Sequence, residues 1–263
     1  MKKILFLAVV LLMAAGSVRA QEASVQTQEP VKEKKFTITP RAGMAISRFR
    51  GDFAYYVDKK AIKYVRGVAV GADVEYQFNK LLGVSLGAYY MQEGGKLDNY
   101  HAGLGGEYDL FRYTDRRIQK KVLSVPLTLR VHTPLTGLSV YAGAGVNRVF
   151  SARHKAHADM YFAPVNVVNL DGSITNRPSQ RFEYDSNDDI SNLLSKWEVF
   201  GVAGLSYAYK DVVLDVRYNY GFSNIDKNRK HTEIYFDKYN NTFLGREIKQ
   251  HTVMLTLGYQ LHL

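Results

Sequence analysis

The stretch Arg66–Phe78, RGVAVGADVEYQF, alternates apolar residues with small or polar ones along its whole length. Val68 and Val70 fall on one side of this stretch, and Asp73 and Glu75 fall on the other. A period of two residues is that of a β-strand, in which successive side chains point to opposite faces. The fold therefore depends on which face of such a strand lies inside.

Alternation of this kind recurs eight times along the chain. The segments are residues 36–47, 66–78, 81–93, 120–132, 138–150, 196–209, 211–224 and 248–263. Short turns alternate with long connections, the latter at 48–65, 94–119, 151–195 and 225–247. In an up-and-down sheet this puts every short turn at one end and every long loop at the other, which is typical of outer-membrane barrels. We predict an all-β, eight-stranded antiparallel up-and-down transmembrane β-barrel over residues 36–263, with four long extracellular loops.

Two closed β-architectures compete for such strands. A lipocalin-like carrier turns apolar side chains inward around a ligand, whereas a membrane barrel turns them outward to lipid. The apolar faces carry no charge over the middle of any strand, and the polar faces hold most of the strand glycines, which suit a narrow lumen. We therefore predict that the apolar face of Arg66–Phe78 contacts lipid.

The charged residues of the inward faces all fall near the short-turn ends of their strands. We expect three basic and three acidic side chains to share one layer that plugs the periplasmic half of the lumen: Arg41, Asp73, Glu75, Arg130, Asp215 and Arg217. Since the first two strands are neighbours, Arg41 is expected to pair with Asp73 or Glu75, and Arg217 to reach across the lumen. The alternative is that these are separate, hydrated lumen residues.

The N-terminal residues indicate export. Two lysines precede an apolar run at residues 4–15, and Val18–Ala20 supplies the small residues that a signal peptidase reads. We predict a signal peptide over residues 1–20 and a flexible periplasmic leader over 21–35. The chain has no Cys, which excludes disulfides and thiolate metal sites. Removal of Lys2, Lys3 and Arg19 with the signal would lower the formal net charge from +10 to +7. We assign this excess to loops and surface, where it meets anionic glycolipid headgroups or keeps the chain soluble, and nucleic acid is not expected as a partner of an exported protein.

No catalytic, cofactor or metal site is predicted from the sequence. His154, His157 and Asp159 have a poor spacing for a metal, and the acidic run FEYDSNDD, residues 182–189, lacks the pattern of an EF-hand. No G-x-S-x-G nucleophile motif occurs. The stretch Asn169–Ser173, NLDGS, predicts a hairpin turn in the third long loop, since Asp-Gly tolerates positive φ angles.

Three stretches resemble one known family. They are ADVEYQFNKLLGVSLGAYYMQEGGK, residues 72–96, VLSVPLTLRVH, residues 122–132, and HTVMLTLGYQLHL, residues 251–263. Together they look like the outer-membrane β-barrel domain family of Bacteroidota, which includes PorT-like proteins. The fourth strand of that family commonly reads aliphatic, Pro, Leu, variable, Leu, basic, and Val125–Arg130 fits this pattern. The resemblance implies an outer-membrane location in a Gram-negative bacterium and, for PorT-like members, a role in protein secretion or envelope assembly.

Three classes of function remain open after this reading. The first is a structural or interaction barrel that presents its loops outside, the second is a PorT-like role, and the third is a small pore or a lipid-modifying enzyme. A structural or interaction barrel fits every feature above. On this interpretation the protein is not expected to be an enzyme. Expected partners are outer-membrane lipid and lipopolysaccharide-type glycolipid, the barrel-assembly machinery during biogenesis, and an envelope protein bound through the loops. The alternate apolar residues of the last strand, residues 255–263, suit recognition by that machinery.

Overall fold

A computed structural model describes residues 35–53, 59–98, 100–103, 110–162, 164–225 and 245–263. The predicted signal peptide, residues 1–20, and all but the last residue of the predicted leader lie outside these ranges. Most of the predicted fourth loop, residues 225–247, lies outside them as well. No helix among the described residues is long and apolar enough to cross a membrane.

Eight long strands form one closed barrel. They are β1 (Phe36–Phe53), β2 (Val65–Gln77), β3 (Leu82–Leu97), β4 (Leu110–His132), β5 (Leu138–Phe162), β6 (Trp197–Tyr209), β7 (Val212–Gly221) and β8 (Gly245–Tyr259). Each strand pairs antiparallel with the next along the chain. The ring closes between β8 and β1, where Arg41 lies opposite Gly258. This confirms the predicted eight-stranded up-and-down barrel.

Shorter elements lie at the two ends of the barrel. On the loop side are a 3-10 turn at Lys59–Ala61 and the strands Ile62–Lys63, Tyr100–Gly103, Val165–Val168, Ile174–Arg177 and Gln180–Asp189. At the C-terminus, Leu261–His262 pairs with the start of β1. The last predicted strand, 248–263, is therefore interrupted at Gln260, whose backbone N–H donates to the carbonyl of Asp211.

The predicted strand ends on the loop side were wrong for several strands. β4 begins at Leu110 and β5 ends at Phe162, so the predicted loops 94–119 and 151–195 contain much regular strand. Alternation of apolar and polar residues marks contact with lipid, and it stops where the strands leave the membrane. The backbone ladder continues beyond that point because β4 and β5 still pair with each other, with Leu110 opposite Tyr161.

The predicted hairpin turn in the third long loop is confirmed. Val165–Val168 pairs with Ile174–Arg177, and the backbone N–H of Asn169 donates to the carbonyl of Ser173 at 2.8 Å. Gly172 has a φ of +78°, in the left-handed region that favours glycine. This short ribbon lies apart from the barrel sheet.

The exposure of the side chains settles which face lies inside. Val68 and Val70 are 48% and 52% exposed, whereas Asp73 and Glu75 are 3% and 8% exposed. The apolar face of Arg66–Phe78 is therefore the outer surface, as predicted, and the lipocalin-like alternative is excluded. Exposed aromatic rings gather near both ends of the strands: Phe36, Phe78, Tyr207, Tyr209 and Tyr259 near the short turns, and Tyr90, Trp197, Tyr220 and Phe222 near the loops.

Pro126 explains an irregularity inside β4. Proline cannot donate to a backbone ladder, and the pairing of β3 with β4 is interrupted between Leu86 and Tyr89, opposite this residue. A Cβ placed on Gly87 would lie 2.9 Å from Pro126 Cγ and 2.5 Å from a carboxylate oxygen of Asp73. Glycine at position 87 therefore leaves room for both the proline ring and a charged lumen side chain.

A charge introduced on the outer face should destabilise the barrel only within the membrane. Leu127 lies in the middle of β4 and is 55% exposed, so Leu127→Arg should cost roughly 2–4 kcal/mol, because the guanidinium would enter hydrocarbon. Leu135 lies in a short turn and is 67% exposed, so Leu135→Arg should be nearly neutral. Denaturant unfolding in lipid vesicles measures both variants, and equal losses would contradict the assigned membrane face.

Candidate functional site

Four of the six predicted lumen residues meet directly. Arg41 Nε lies 3.0 Å from Asp73 Oδ2, and Arg41 Nη1 lies 2.9 Å from Asp215 Oδ2. Arg217 Nη2 lies 3.1 Å from the same Asp73 oxygen and its Nε lies 3.7 Å from Asp215 Oδ1. All four side chains are almost completely buried. The strands β2 and β7 are not neighbours in the ring, so the contact between Arg217 and Asp73 crosses the lumen.

Two tyrosines cover this charged quartet, defined as Arg41, Asp73, Asp215 and Arg217. The Tyr141 hydroxyl donates to Asp215 Oδ2 at 2.7 Å and accepts from Arg217 Nε at 3.1 Å. Tyr89 accepts from Arg217 Nη2 at 3.3 Å, and its ring centroid lies 4.7 Å from the Arg217 guanidinium carbon. Each ring therefore adds a hydrogen bond and a cation–π contact to a desolvated cation.

The remaining two predicted residues form a second group nearer the short turns. Arg130 Nε lies 3.2 Å from Glu75 Oε2, and Arg130 Nη1 donates to Ser206 Oγ at 2.7 Å. The other oxygen of Glu75 lies 2.7 Å from His132 Nε2. The six residues thus lie in two adjacent groups instead of the single layer that we expected. The Tyr141 ring joins them, since the Arg130 guanidinium carbon lies 4.8 Å from its centroid.

Sequence reasoning missed a second ion-paired layer nearer the loops. Lys120 Nζ lies 2.5 Å from Glu198 Oε1 and 3.3 Å from Glu93 Oε1, and all three side chains are buried. Thr252 Oγ1 donates to Glu93 Oε2 at 2.8 Å. These residues stand at the predicted ends of their strands, where hydrated side chains are expected. Only the extension of β3 and β4 beyond those ends places them inside the barrel.

Apolar side chains fill the space between and above these layers. The middle of the lumen holds one buried cluster: Ala45, Ala69, Tyr89, Met91, Val122, Val149 and Met254. The loop end is closed by another: Phe49, Ala61, Leu97, Ile118, Ala152, Ala156, Ala158, Ile190, Leu194, Ile225 and Ile248. Phe200 and Val202 interrupt the polar face of β6 in the sequence, and they pack with Tyr141 inside the lumen. The lumen is therefore filled by side chains along its height.

The candidate metal residues His154, His157 and Asp159 do not form a ligand cluster. Within ranges 35–53, 59–98, 100–103, 110–162, 164–225 and 245–263, no group of three or more His, Cys, Asp or Glu side chains is placed to hold a metal ion. His157 Nδ1 instead lies 2.7 Å from Asp185 Oδ1, and Arg181 Nη2 lies 2.8 Å from Asp159 Oδ1. These contacts are exposed ion pairs between neighbouring strands.

Outside the membrane, β4 and β5 continue as part of a small sheet. The strand Gln180–Asp189 pairs with β5 on the side away from β4, with Glu183 opposite Asp159. His154 is buried in this sheet and accepts a hydrogen bond from Arg116 Nε at 2.9 Å. Burial, with the adjacent Arg116 charge, lowers the pKa of His154 to about 3. This histidine is therefore neutral at every physiological pH.

A group of basic and aromatic side chains lies on the outward faces of β7, β8, β1 and β2 at their loop end, where Tyr218 and Tyr220 cover the buried His251. We call it the basic rim: Arg48, Arg50, Tyr64, Arg66, Tyr218, Tyr220, Lys249 and His251. The Arg48 guanidinium carbon lies 4.9 Å from the Tyr64 ring centroid, and the Tyr218 hydroxyl lies 2.6 Å from His251 Nδ1. Of the four cations, only Lys249 has a carboxylate within 4 Å in the described part of the chain, Glu247 at 3.9 Å.

The charged quartet should behave as one coupled unit in a double-mutant cycle. Removing Arg41 or Asp73 alone leaves a buried charge without its partner and should cost about 3–5 kcal/mol. The double variant Arg41→Ala, Asp73→Ala should cost less than the sum, with a coupling of roughly 0.5–3 kcal/mol. Additive losses would show that the two side chains do not interact.

An exposed ion pair provides the control for this cycle. The pair Arg181 and Asp159 has a similar separation, 2.8 Å, but the Arg181 side chain is 63% exposed. Its cycle should give a coupling of about 0–1 kcal/mol, because water screens the pair. Unfolding free energies of both sets are measured by denaturant titration in the same vesicles.

The buried His154 should make the stability of the protein depend on pH. Its folded pKa of about 3 lies below the ordinary 6.5, so the unfolded chain binds a proton first as the pH falls. Stability is therefore retained above about pH 6.5 and lost progressively from there toward pH 3. The variant His154→Gln should lose less stability over this window in urea titrations. Equal pH profiles would mean that folding does not change the pKa of His154.

The family match agrees with the barrel geometry. Residues 20–227 match the family described as outer membrane protein beta-barrel domain. No curated protein is significantly similar to the chain in sequence. Similar solved structures include Ail, the attachment invasion locus protein of Yersinia pestis, in complex with the heparin analogue sucrose octasulfate. The two chains are 18% identical, and the match covers 86% of this chain and 99% of Ail with a TM-score of 0.40.

Two further solved structures are similar over most of the chain. OprG from Pseudomonas aeruginosa shares 16% identity, covers 88% of this chain and 98% of its own, and has a TM-score of 0.36. Neisserial surface protein A shares 13% identity, and the match covers 87% of this chain and 97% of that protein with a TM-score of 0.33. The family match spans most of the residues, and the strands close with an apolar outer face. The chain therefore belongs to the outer membrane protein beta-barrel domain family and is an integral β-barrel of the Gram-negative outer membrane.

Proposed function

We propose that this barrel is a closed, non-catalytic interaction protein that presents its extracellular strands and loops to an envelope protein partner. The observation that carries the proposal is the contrast between the two parts of the molecule. The lumen is filled by paired charges and apolar side chains, whereas the part outside the membrane exposes apolar side chains to water. The chemistry that could recognise a partner therefore lies outside the membrane.

The exposed apolar residues are concentrated on the extracellular hairpin and on the adjacent sheet. Val168 and Ile174 flank the hairpin turn, Leu170 lies within it, and all three are at least 68% exposed. Tyr161 and Phe182, on neighbouring strands of the extracellular sheet, are each 46% exposed. In water such side chains favour association with another apolar surface, and exposed apolar patches commonly mark sites of protein interaction. This supports binding through the loops more than a purely structural barrel.

The strand Gln180–Asp189 offers a second means of association. Among the described residues it pairs with β5 alone, so its other side carries backbone groups of an edge strand. An extended segment of a partner could add to such an edge by β-augmentation. Its acidic side chains, which include Glu183, Asp185 and Asp189, would favour a basic segment over an acidic one.

Site-specific crosslinking in native outer membranes tests the proposal. A photoreactive residue placed at Leu170 should give a discrete crosslinked protein, because this side chain is fully exposed at the hairpin tip. The same residue placed at Leu127 on the lipid face is the control and should give crosslinks to lipid only. Absence of a protein adduct at Leu170 and at a second position, Ile174, would contradict an interaction role for the hairpin.

The glycolipid partner is supported by the basic rim. Its cations lie beside tyrosine rings at the outer end of the lipid-facing surface, where the phosphates of a lipopolysaccharide-type glycolipid would lie. Arg48, Arg50 and Arg66 have no carboxylate partner in the part of the chain that the structure describes, and such cations favour phosphate anions. The rim is therefore the part of the barrel that would hold outer-leaflet glycolipid. Two further partners are proposed. They are outer-membrane lipid, which would contact the apolar faces, and the barrel-assembly machinery, which would act during biogenesis.

Neutral substitutions in the basic rim should reduce bound glycolipid. The double variant Arg48→Gln, Arg66→Gln should copurify with several-fold less glycolipid phosphate per barrel, since two charges that face the headgroups are lost. Lys210→Gln, in a short turn at the opposite end, removes one exposed charge and should leave the ratio unchanged. Phosphate analysis of barrels extracted in mild detergent measures the ratio, and equal ratios in all three proteins would contradict a rim site.

A PorT-like role in protein secretion or envelope assembly is the second hypothesis. It rests on the resemblance of Val125–Arg130 and of the terminal strand to that group of Bacteroidota proteins, and loss of secreted envelope proteins in a deletion strain would favour it. A small pore or a lipid-modifying enzyme is the third. Steady single-channel conductance would favour the pore, and altered lipid A in the deletion strain would favour the enzyme.

A further inference from the structure

A small polar cavity adjoins the ion-paired layer of Lys120, Glu93 and Glu198. It measures about 10 Å³, which is room for one water-sized species and too little for an organic ligand. Its polar lining comes from several sides of the lumen: Glu93, Asn147, Glu198, Asn219, Ser223, Gln250 and Thr252. The cavity is distinct from the charged quartet, which lies on the other side of the apolar middle cluster.

The lining contains amide and hydroxyl donors, but four of its acceptors have no donor within hydrogen-bond distance. Four buried oxygens have no hydrogen-bond partner among the described atoms: Asn147 Oδ1, Glu198 Oε2, Asn219 Oδ1 and Gln250 Oε1. Each of these residues is at most 5% exposed. The orientation of the Gln250 amide is fixed, since its Nε2 donates to the carbonyls of Gly94 at 2.9 Å and Arg48 at 3.2 Å. Its oxygen is therefore the atom left without a partner.

Four donors of the layer and the lining are already engaged. Lys120 Nζ contacts one oxygen of each glutamate, and the Thr252 hydroxyl donates to Glu93 Oε2. Asn219 Nδ2 donates to Met254 Sδ, and the Ser223 hydroxyl donates to the carbonyl of Val199. A single water molecule donates only two hydrogen bonds, so it would leave at least two of the four oxygens unsatisfied. Unsatisfied buried acceptors are costly. A bare cation, in contrast, attracts all of the oxygens at once.

The charge of the layer indicates which cation. When both glutamates are ionised, the layer of Glu93, Glu198 and Lys120 has a net charge of −1 inside a low-dielectric lumen. A monovalent cation brings the layer to neutrality, whereas a divalent cation would leave an excess positive charge beside the Lys120 ammonium. Carboxylate and amide oxygens are suitable ligands for such a hard cation.

We propose that this cavity is a structural binding site for one monovalent cation of about the size of Na⁺, held by Glu198, Asn147, Asn219 and Gln250. The ion completes the upper layer of the lumen plug and ties β5, β6, β7 and β8 together. This site goes beyond the proposed interaction role, and that role does not depend on it.

Thermal unfolding of the purified full-length barrel in detergent tests the site. At a constant ionic strength of about 0.15 M, the midpoint should be about 5–10 °C higher in NaCl than in choline chloride, whose cation is too large for the cavity. This is the shift expected for a chain of this size with the ion near 100 times its Kd. Equal midpoints in the two salts would overturn the proposal and assign the cavity to water. A rise with CaCl₂ alone would overturn the monovalent assignment.

A pair of matched variants separates ion binding from general loss of stability. Glu198→Gln keeps the shape of the side chain but removes the charge that the cation neutralises, so it should abolish the difference between NaCl and choline chloride. Glu75→Gln removes another buried carboxylate outside the cavity, and it should keep the difference even if its midpoint is lower in both salts. A difference retained in Glu198→Gln, or lost in both variants, would contradict the site.

Discussion

The narrow lumen of an eight-stranded barrel is the constraint on which the rest of this structure depends. Most side chains on the inward faces of the strands are removed from bulk water, so each buried charge must find a partner within the lumen. The charged quartet meets this requirement with two arginines, two aspartates and the hydroxyls of Tyr89 and Tyr141. Glycines make the arrangement possible, since a Cβ on Gly204 would lie 2.4 Å from the Tyr141 hydroxyl.

The same constraint explains how the functional surfaces are divided. Paired charges and apolar clusters fill the described lumen at successive heights, so its side chains pack against one another. In the proposed function, recognition therefore falls to the surfaces outside the lumen. The basic rim would meet lipid headgroups, and the hairpin with the extracellular sheet would meet a protein partner.

Alternation along the chain was sufficient to predict the strands, the ring and the membrane face, because lipid contact imposes a period of two residues on every strand. It also placed Arg41, Asp73, Asp215 and Arg217 on inward faces. It could not predict the layer of Lys120, Glu93 and Glu198, since the burial of these residues depends on strand extension beyond the apolar segments. The basic rim was missed for a related reason: its residues come from four strands and meet only once the register is known.

The central claim is that paired charges close the lumen. The most direct test of this claim is to measure how fast the side-chain protons of the arginines exchange with water. Solution NMR of the labelled barrel in detergent distinguishes guanidinium groups that contact water from those that do not. The Nε–H protons of Arg41, Arg130 and Arg217 should exchange slowly and give separate, sharp signals, whereas that of the exposed Arg50 should exchange rapidly. If the lumen protons exchange as fast as those of Arg50, water fills the barrel and the closed, ion-paired plug is wrong.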